Sequence, residues 1–401
     1  MSDYTILLKV ISDKMFFLHT VLIVCDSSLF GEQEDKLNSS MVISIFSVLA
    51  NCMNLKSLTL RGEGMGMQMP AVDEQDIESF FRELPLKEFR LLEELEIQSK
   101  YFGLLDYVLL KLRAPSLKRL NLDMMHYSSY AIYRLFDFMH FHSRNLQNLR
   151  FRLTWCPVLV DFPVWSSEII KQGAEIGKLL KNVVTLDVEL TNPQLFQPLQ
   201  EVFRQLPKTN SCLHQLNITM DEWMDMDIES ASSILHESLG FSSLRVLNVY
   251  QLNCVFDFAV LKDKCPLVET IILHCKYIEN IHFLPLTCRH LFMRNTVPSP
   301  EQWRHLVTMD HRLETLNVKI GTENRQDEGS SLEISATLCQ QIYRPSFKEF
   351  SIYPVICSSR AQHRITERLL PIVVSIICRH DREIDTASAA NHSDGEGEYN
   401  D

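Results

Sequence analysis

No Cys-x-x-Cys pair occurs anywhere in the 401 residues, although the chain carries 11 cysteines. An odd number of scattered thiols, several in apolar surroundings, argues against the usual zinc modules and a disulfide framework. They read as reduced, mostly buried side chains of a cytoplasmic or nuclear protein. No apolar run is long enough to span a bilayer. The run Met15–Cys25 resembles the apolar part of a signal peptide, but His19 interrupts it and Tyr4–Ile11 ahead of it is already apolar, which argues against secretion. There is no P-loop, no G-x-S-x-G and no G-x-G-x-x-G; Gly62, Gly64 and Gly66 lack the phosphate-binding spacing and read as a flexible turn. With 39 basic against 51 acidic residues, net −12, the chain lacks the basic stripe that follows a phosphate backbone, which argues against nucleic acid as the partner. Much of that charge is terminal: Asp381, Glu383, Asp385, Asp394, Glu396, Glu398 and Asp401 stand against Arg382 alone. The middle of the chain also lacks a Pro/Gly/Ser-rich linker, yet 401 residues is long for one closed core. An elongated stack of units satisfies both observations.

What the chain has is a frame. Leu117-Lys118-Arg119-Leu120-Asn121-Leu122 places apolar residues at positions one, four and six, and positions four and six share one face of an extended segment. The frame returns twelve times, beginning at Leu18, Leu55, Leu92, Leu117, Leu146, Val183, Leu213, Leu244, Val268, Cys288, Leu313 and Phe347. Helix-length apolar-faced segments lie between the frames: Met41–Asn51, Phe102–Leu112, Ser128–His142, Glu168–Leu180, Gln194–Gln205, Pro300–Met309 and Ser331–Tyr343. Ser299, Pro300 and Gln302 carry the N-cap, first-turn proline and capping-box glutamine of one of them. The expected division is an N-terminal cap and first repeat over 1–54, a solenoid over 55–355, a helical cap over 356–380 around Thr366–Cys378, and a disordered acidic tail over 381–401.

One short strand and one helix per unit resembles the leucine-rich repeat, over roughly residues 15 to 355. The resemblance implies an α/β fold, a leucine-rich-repeat solenoid with parallel inner strands and outer helices, here with irregular repeats of about 20–37 residues. The chain departs from the family three positions after the third apolar residue, where Asn or Cys usually bonds to backbone. Met125, Thr154, Thr191, Leu252 and Thr296 stand there instead.

Function falls to the fifth and seventh frame positions, which face away from the core. The fifth position holds Asn at 121, 217, 248 and 317, a residue disfavoured in strands, so amide ladders or a ligand are expected there. Stacked strands would set Asn217, Asn248, Ile272, Phe292 and Asn317 in one row, with Tyr250, His274 and Arg294 in a second. An exposed apolar pair, Ile272 and Phe292, ringed by Asn, Tyr, His and Arg has the anatomy of a protein-binding hot spot. The cluster His274, Cys275, His282, Cys288 and His290 matches no metal-ligand spacing, and Cys378-Arg379-His380 ends a helix rather than forming a nucleophile beside a base. No catalytic constellation, metal site or cofactor motif is legible, and the reading is a non-catalytic recognition module. The phrases Pro115-Ser116-Leu117-Lys118-Arg119-Leu120 and Cys265-Pro266-Leu267-Val268-Glu269 resemble the substrate-binding half of F-box/leucine-rich-repeat proteins. That resemblance implies a cullin-ligase adaptor as a further partner, although no F-box opening precedes Leu55. The alternative is a stand-alone repeat scaffold or inhibitor.

Overall fold

Alternation of period two turns each frame into a half-buried strand. The computed structural model describes residues 18–26, 49, 52, 54–63, 87–99, 112–124, 129–153, 167–190, 196–220, 232, 235–250, 254–275, 277–294, 296, 298–299, 301–302, 305–306, 313–319 and 349–353. Sixteen strands follow in chain order: β1 (Thr20–Asp26), β2 (Ser57–Glu63), β3 (Lys87–Glu88), β4 (Glu94–Ser99), β5 (Leu112–Arg113), β6 (Arg119–Met124), β7 (Asn148–Leu153) and β8 (Thr185–Leu190). Then come β9 (Gln215–Met220), β10 (Val246–Tyr250), β11 (Val255–Asp257), β12 (Thr270–His274), β13 (Tyr277–Glu279), β14 (His290–Arg294), β15 (Thr315–Lys319) and β16 (Glu349–Tyr353). Twelve of them, one per frame, form a single sheet in chain order, and every neighbouring pair is parallel. The fold is therefore a leucine-rich-repeat solenoid.

Register is what ties the sequence frame to the fold. The fourth positions, from Val21 through Leu58, Leu95, Leu120, Leu149, Leu186, Leu216, Leu247, Ile271, Leu291 and Leu316 to Phe350, stand opposite one another across all eleven junctions. A slip of one residue at any junction would turn that strand's leucines to water. Leu120, Leu122, Leu149, Leu247 and Leu316 are all buried, at 2% exposure or less. The ten junctions from β1 to β15 are also pinned at the second frame position, whose carbonyl accepts two N–H groups from the next unit. Glu93, for example, receives Lys118 and Arg119 at 2.8 and 2.9 Å, and Val184 receives His214 and Gln215 at 2.9 and 3.1 Å.

Three helices, α1 (Ser129–His142), α2 (Ser167–Leu179) and α3 (Phe196–Thr209), cover the apolar face of the middle strands. Leu122, Phe151 and Leu186 of the sheet meet Phe136, Met139, Ile176 and Phe203 of the helices around one apolar gap. The first two helices match expectation to within one residue at each end. The third runs past Gln205 to Thr209 and carries Pro207 in its last turn. The helix expected over Phe102–Leu112 does not reach Leu112. Leu112 and Arg113 are extended in β5 against β3, because Leu112 fills the core and the Arg113 carbonyl takes the Phe89 N–H at 2.7 Å. Where the units shorten, the described residues between β10, β12 and β14 include the short helix α4 (Ala259–Lys264) and a 3-10 turn at Ile281–Phe283, and β11 pairs with β13 in a separate two-stranded sheet. The capping box at Ser299 is present: its N–H donates to Gln302 Oε1 at 2.7 Å, and its hydroxyl accepts the Gln302 N–H at 3.3 Å. The expected helices Met41–Asn51 and Ser331–Tyr343, the cap over 356–380 and the tail over 381–401 lie wholly or mostly outside the described residues.

Candidate recognition surface

Because the helices take positions four and six, positions five and seven form the opposite, inner face of the sheet. Its two halves differ in chemistry.

From β2 to β8 the charged side chains of the inner face pair with one another, although Arg61 Nε and Asp123 Oδ1 are buried without a hydrogen-bond partner among the described residues. Glu96 is the hub of the first strands: it accepts hydrogen bonds from Thr59 at 3.4 Å, Gln98 at 2.8 Å and Asn121 at 3.2 Å, with the Arg61 guanidinium 3.7 Å away. Further along, Arg152 lies between Glu189 at 2.7 Å and Asp123 at 3.8 Å, and Arg150 meets Asp187 at 3.3 Å. These pairs sit in register on neighbouring strands. Burial raises the Glu189 carboxyl above its ordinary range, with Arg152 pulling the other way. Half-exposed pairs of this kind add little stability each. Their effect is to occupy one another's hydrogen-bonding capacity.

From β9 to β15 the same face is open. The register sets Asn217, Asn248, Ile272, Phe292 and Asn317 directly beside one another in one row, and Tyr250, His274 and Arg294 in the next. All eight residues singled out from the sequence thus come together. The Tyr250 and His274 rings meet edge to face, centroids 4.0 Å apart. Among the described residues, the Asn248 and Asn317 amides make no side-chain hydrogen bond and the Arg294 guanidinium, which is exposed, has no ion-pair partner. The acids at the second frame position, Glu269 and Glu314, stand at the opposite end of the strands and pair with Arg245 and Arg289.

Two details differ from the sequence reading. Ile272 and Phe292 are half-buried rather than exposed, since each is flanked by side chains on adjacent strands only one strand spacing away. No amide ladder links Asn217 to Asn248; Asn217 instead accepts from Gln215 of its own strand at 3.4 Å, while Asn121 donates to Glu96. The charge pairing of the first half was missed, although its signal was present: opposite charges fall at the same frame position in consecutive units, as in Arg150 with Asp187 and Arg152 with Glu189.

The histidines and cysteines set aside as metal candidates have other surroundings. Cys275 and Cys288 are fully buried, burial pushes the Cys288 thiol up to about 12, and His290 Nδ1 lies 3.1 Å from the Thr315 hydroxyl. Among the described residues, no three His, Cys, Asp or Glu side chains gather around a point that could hold a metal ion. No described helix is long and apolar enough to cross a membrane.

No family model matches the sequence, and no curated protein matches it. Among solved structures, the chain is similar to the leucine-rich repeat-containing protein LegL7 from Legionella pneumophila, at 13% identity and a TM-score of 0.34 over 86% of this chain and 98% of that one. A likeness at that level transfers neither a site nor an activity.

Proposed function

We propose that the chain is a non-catalytic protein-recognition scaffold whose partner sits on the inner face of β9 to β15. The observation that carries this is the contrast along one sheet. The charged side chains of β2 to β8 pair with one another across strands, whereas β9 to β15 present half-buried Ile272 and Phe292 among the Asn248 and Asn317 amides, a tyrosine and an arginine without an ion-pair partner among the described residues. A central apolar contact within a polar rim is how protein interfaces are built. The carboxylates Glu96, Asp123, Asp187 and Glu189 on the rest of the face disfavour a phosphate backbone. The test is alanine substitution at Phe292 and at Tyr250, with thermal melting to confirm the fold and binding measured against a partner captured by the full chain. Both stable variants should lose binding; undiminished binding by both would place recognition elsewhere.

A finer reading is the substrate-holding subunit of an F-box-type cullin ubiquitin ligase, supported by the resemblance of the phrases at Pro115 and Cys265. In the fold both phrases form turns leading into strands: the Pro115 carbonyl accepts from Asn145 and the Pro266 carbonyl from Thr287. Such turns serve a stand-alone scaffold or inhibitor equally well. Co-purification of the cullin adaptor with the full chain supports the ligase reading, and its absence under conditions that retain the recognised partner rejects it. We place the protein in the cytoplasm or nucleus, on the ground that the six described cysteines form no disulfide and five of them are buried.

A further inference from the structure

We infer that the inner face of β9 to β15 takes an extended acidic segment of a partner protein, held by one apolar side chain over Ile272 and Phe292 and by a carboxylate on Arg294. This rests on the recognition reading above and adds the chemistry of the partner.

Charge complementarity carries it. The chain as a whole is acidic, at net −12. Yet the fifth and seventh register positions from β9 to β16 hold no Asp or Glu, while Arg294 and Lys319 stand side by side at the seventh. In the other half the same positions hold four carboxylates and three arginines, which pair with one another across strands. Arg294 is the exposed cation of the described inner face that has no such partner. A carboxylate arriving there gains a charge-assisted bond without breaking an existing one.

The geometry fits an extended chain. Five strands from β9 to β15 span four spacings, about 19 Å at roughly 4.8 Å each. That distance is covered by about six extended residues. Phe292 and Arg294 are two residues apart on one strand, so their side chains share a face about 7 Å apart. A ligand crossing the strands over the fifth-position row therefore has the seventh-position row about 7 Å to one side, within reach of an acidic side chain next to its apolar anchor. The open Asn248 and Asn317 amides, each with donors and an acceptor, can meet the ligand's backbone on either side of the anchor. The edge-on Tyr250 and His274 rings line the approach to the anchor.

The experiment uses the full chain and a fluorescein-labelled eight-residue peptide with one central leucine among glutamates, followed by fluorescence anisotropy. The expected result is binding that weakens with added salt, and that falls about tenfold, 1.4 kcal/mol, when glutamines replace the glutamates. Arg294→Glu should give a similar loss at unchanged melting temperature, whereas Arg144→Glu, a charge reversal in the turn before β7, should not. Equal binding of the two peptides, no binding of either, or full binding by Arg294→Glu overturns the inference. Loss of the captured partner by Phe292→Ala would still leave the recognition reading standing in those cases. A full-length variant with the acids of residues 381–401 changed to their amides should bind the probe no more tightly. Binding about tenfold tighter would make the chain's own acidic segment the occupant and would overturn the assignment to a partner.

Discussion

His142, at the end of α1, accepts the Ala114 N–H on Nε2 at 3.1 Å, tying the helix to the turn that leads into β6. Its other ring nitrogen lies 2.8 Å from the Phe138 carbonyl and donates to it, which fixes a neutral ring with a proton on Nδ1. Protonating Nε2 would turn the acceptor into a donor facing a donor.

This arrangement predicts an acid-sensitive stability. Burial, assisted by the nearby Arg113 charge and opposed by the Phe138 bond, lowers the His142 pKa from 6.5 to about 4. Between those values the unfolded chain holds the proton and the folded chain does not. The contribution is therefore complete above pH 6.5 and is lost as pH falls toward 4, by about 3 kcal/mol in full. Urea unfolding of the native chain and of His142→Gln across that range should show the native curve falling more steeply. Parallel curves would mean that the ring is not held neutral.

Asn210 is 4% exposed and uses its whole amide: Nδ2 donates to the Leu180 and Val183 carbonyls at 2.7 and 2.9 Å, and Oδ1 accepts the Cys212 and Leu213 N–H groups at 2.7 and 2.8 Å. Asn210→Ala should destabilise by about 3 kcal/mol, because it orphans groups on both units. Asn210→Asp should be at least as damaging, since a carboxylate would face two carbonyl oxygens. A chemical-denaturation midpoint unchanged in the aspartate variant would contradict these bonds.

The frame was legible because period-two alternation states which residues are buried, and burial sets the register. Even the first frame, inside the apolar run at Met15–Cys25, is strand β1, paired from Thr20 to Asp26. What the sequence hid was the way the turns are satisfied. The absence of Asn or Cys after each strand suggested a missing ladder, yet the ladder lies before the strands. Ser116, Asn145, Asn182 and Thr287, each just ahead of its frame, donate to the carbonyls of Arg90, Pro115, Arg144 and Pro266 in the preceding unit at 2.6 to 2.8 Å. Ser, Asn and Thr are common in any turn, so nothing local distinguishes these four. Thr296 does occupy the family position, and its hydroxyl donates to the Cys275 carbonyl one unit back. The candidate surface was legible by position, since frame arithmetic alone aligns its eight residues. Its half-burial was not, because that depends on side-chain packing between strands.

At Gly177, helix propensity and packing pull in opposite directions. Alanine would favour the helix by about 1 kcal/mol, but its Cβ would stand 2.6 Å from the Val202 carbonyl oxygen and 3.0 Å from Gln205 Cβ, forcing α2 and α3 apart. Overpacking of this kind typically outweighs the gain, so Gly177→Ala should destabilise by about 1 to 2 kcal/mol net. A raised melting temperature would show that the two helices can separate freely.

Leu120 and Leu247 are the fourth-position residues of β6 and β10, at 2% and 0% exposure. Each Leu→Ala change should lower stability by about 2 to 5 kcal/mol. In a solenoid the loss of protection should begin in the neighbouring units, which hydrogen exchange resolved by peptide can follow. Unchanged melting temperatures in both variants would contradict the frame.

The central claim is that the charged side chains of β2 to β8 are committed to one another and the inner face of β9 to β15 to a partner. Hydroxyl-radical footprinting of the full chain, free and bound to its captured partner, reads side-chain access on β9 to β15 and on the far strand β1 at once. Tyr250, which is 38% exposed, and Phe292 should be oxidised in the free chain and protected in the complex, while Leu22 and Val24 on β1, at 57% and 49%, stay equally reactive. Unchanged oxidation of Tyr250 and Phe292 in the complex, with protection appearing at Leu22 and Val24, would contradict the account.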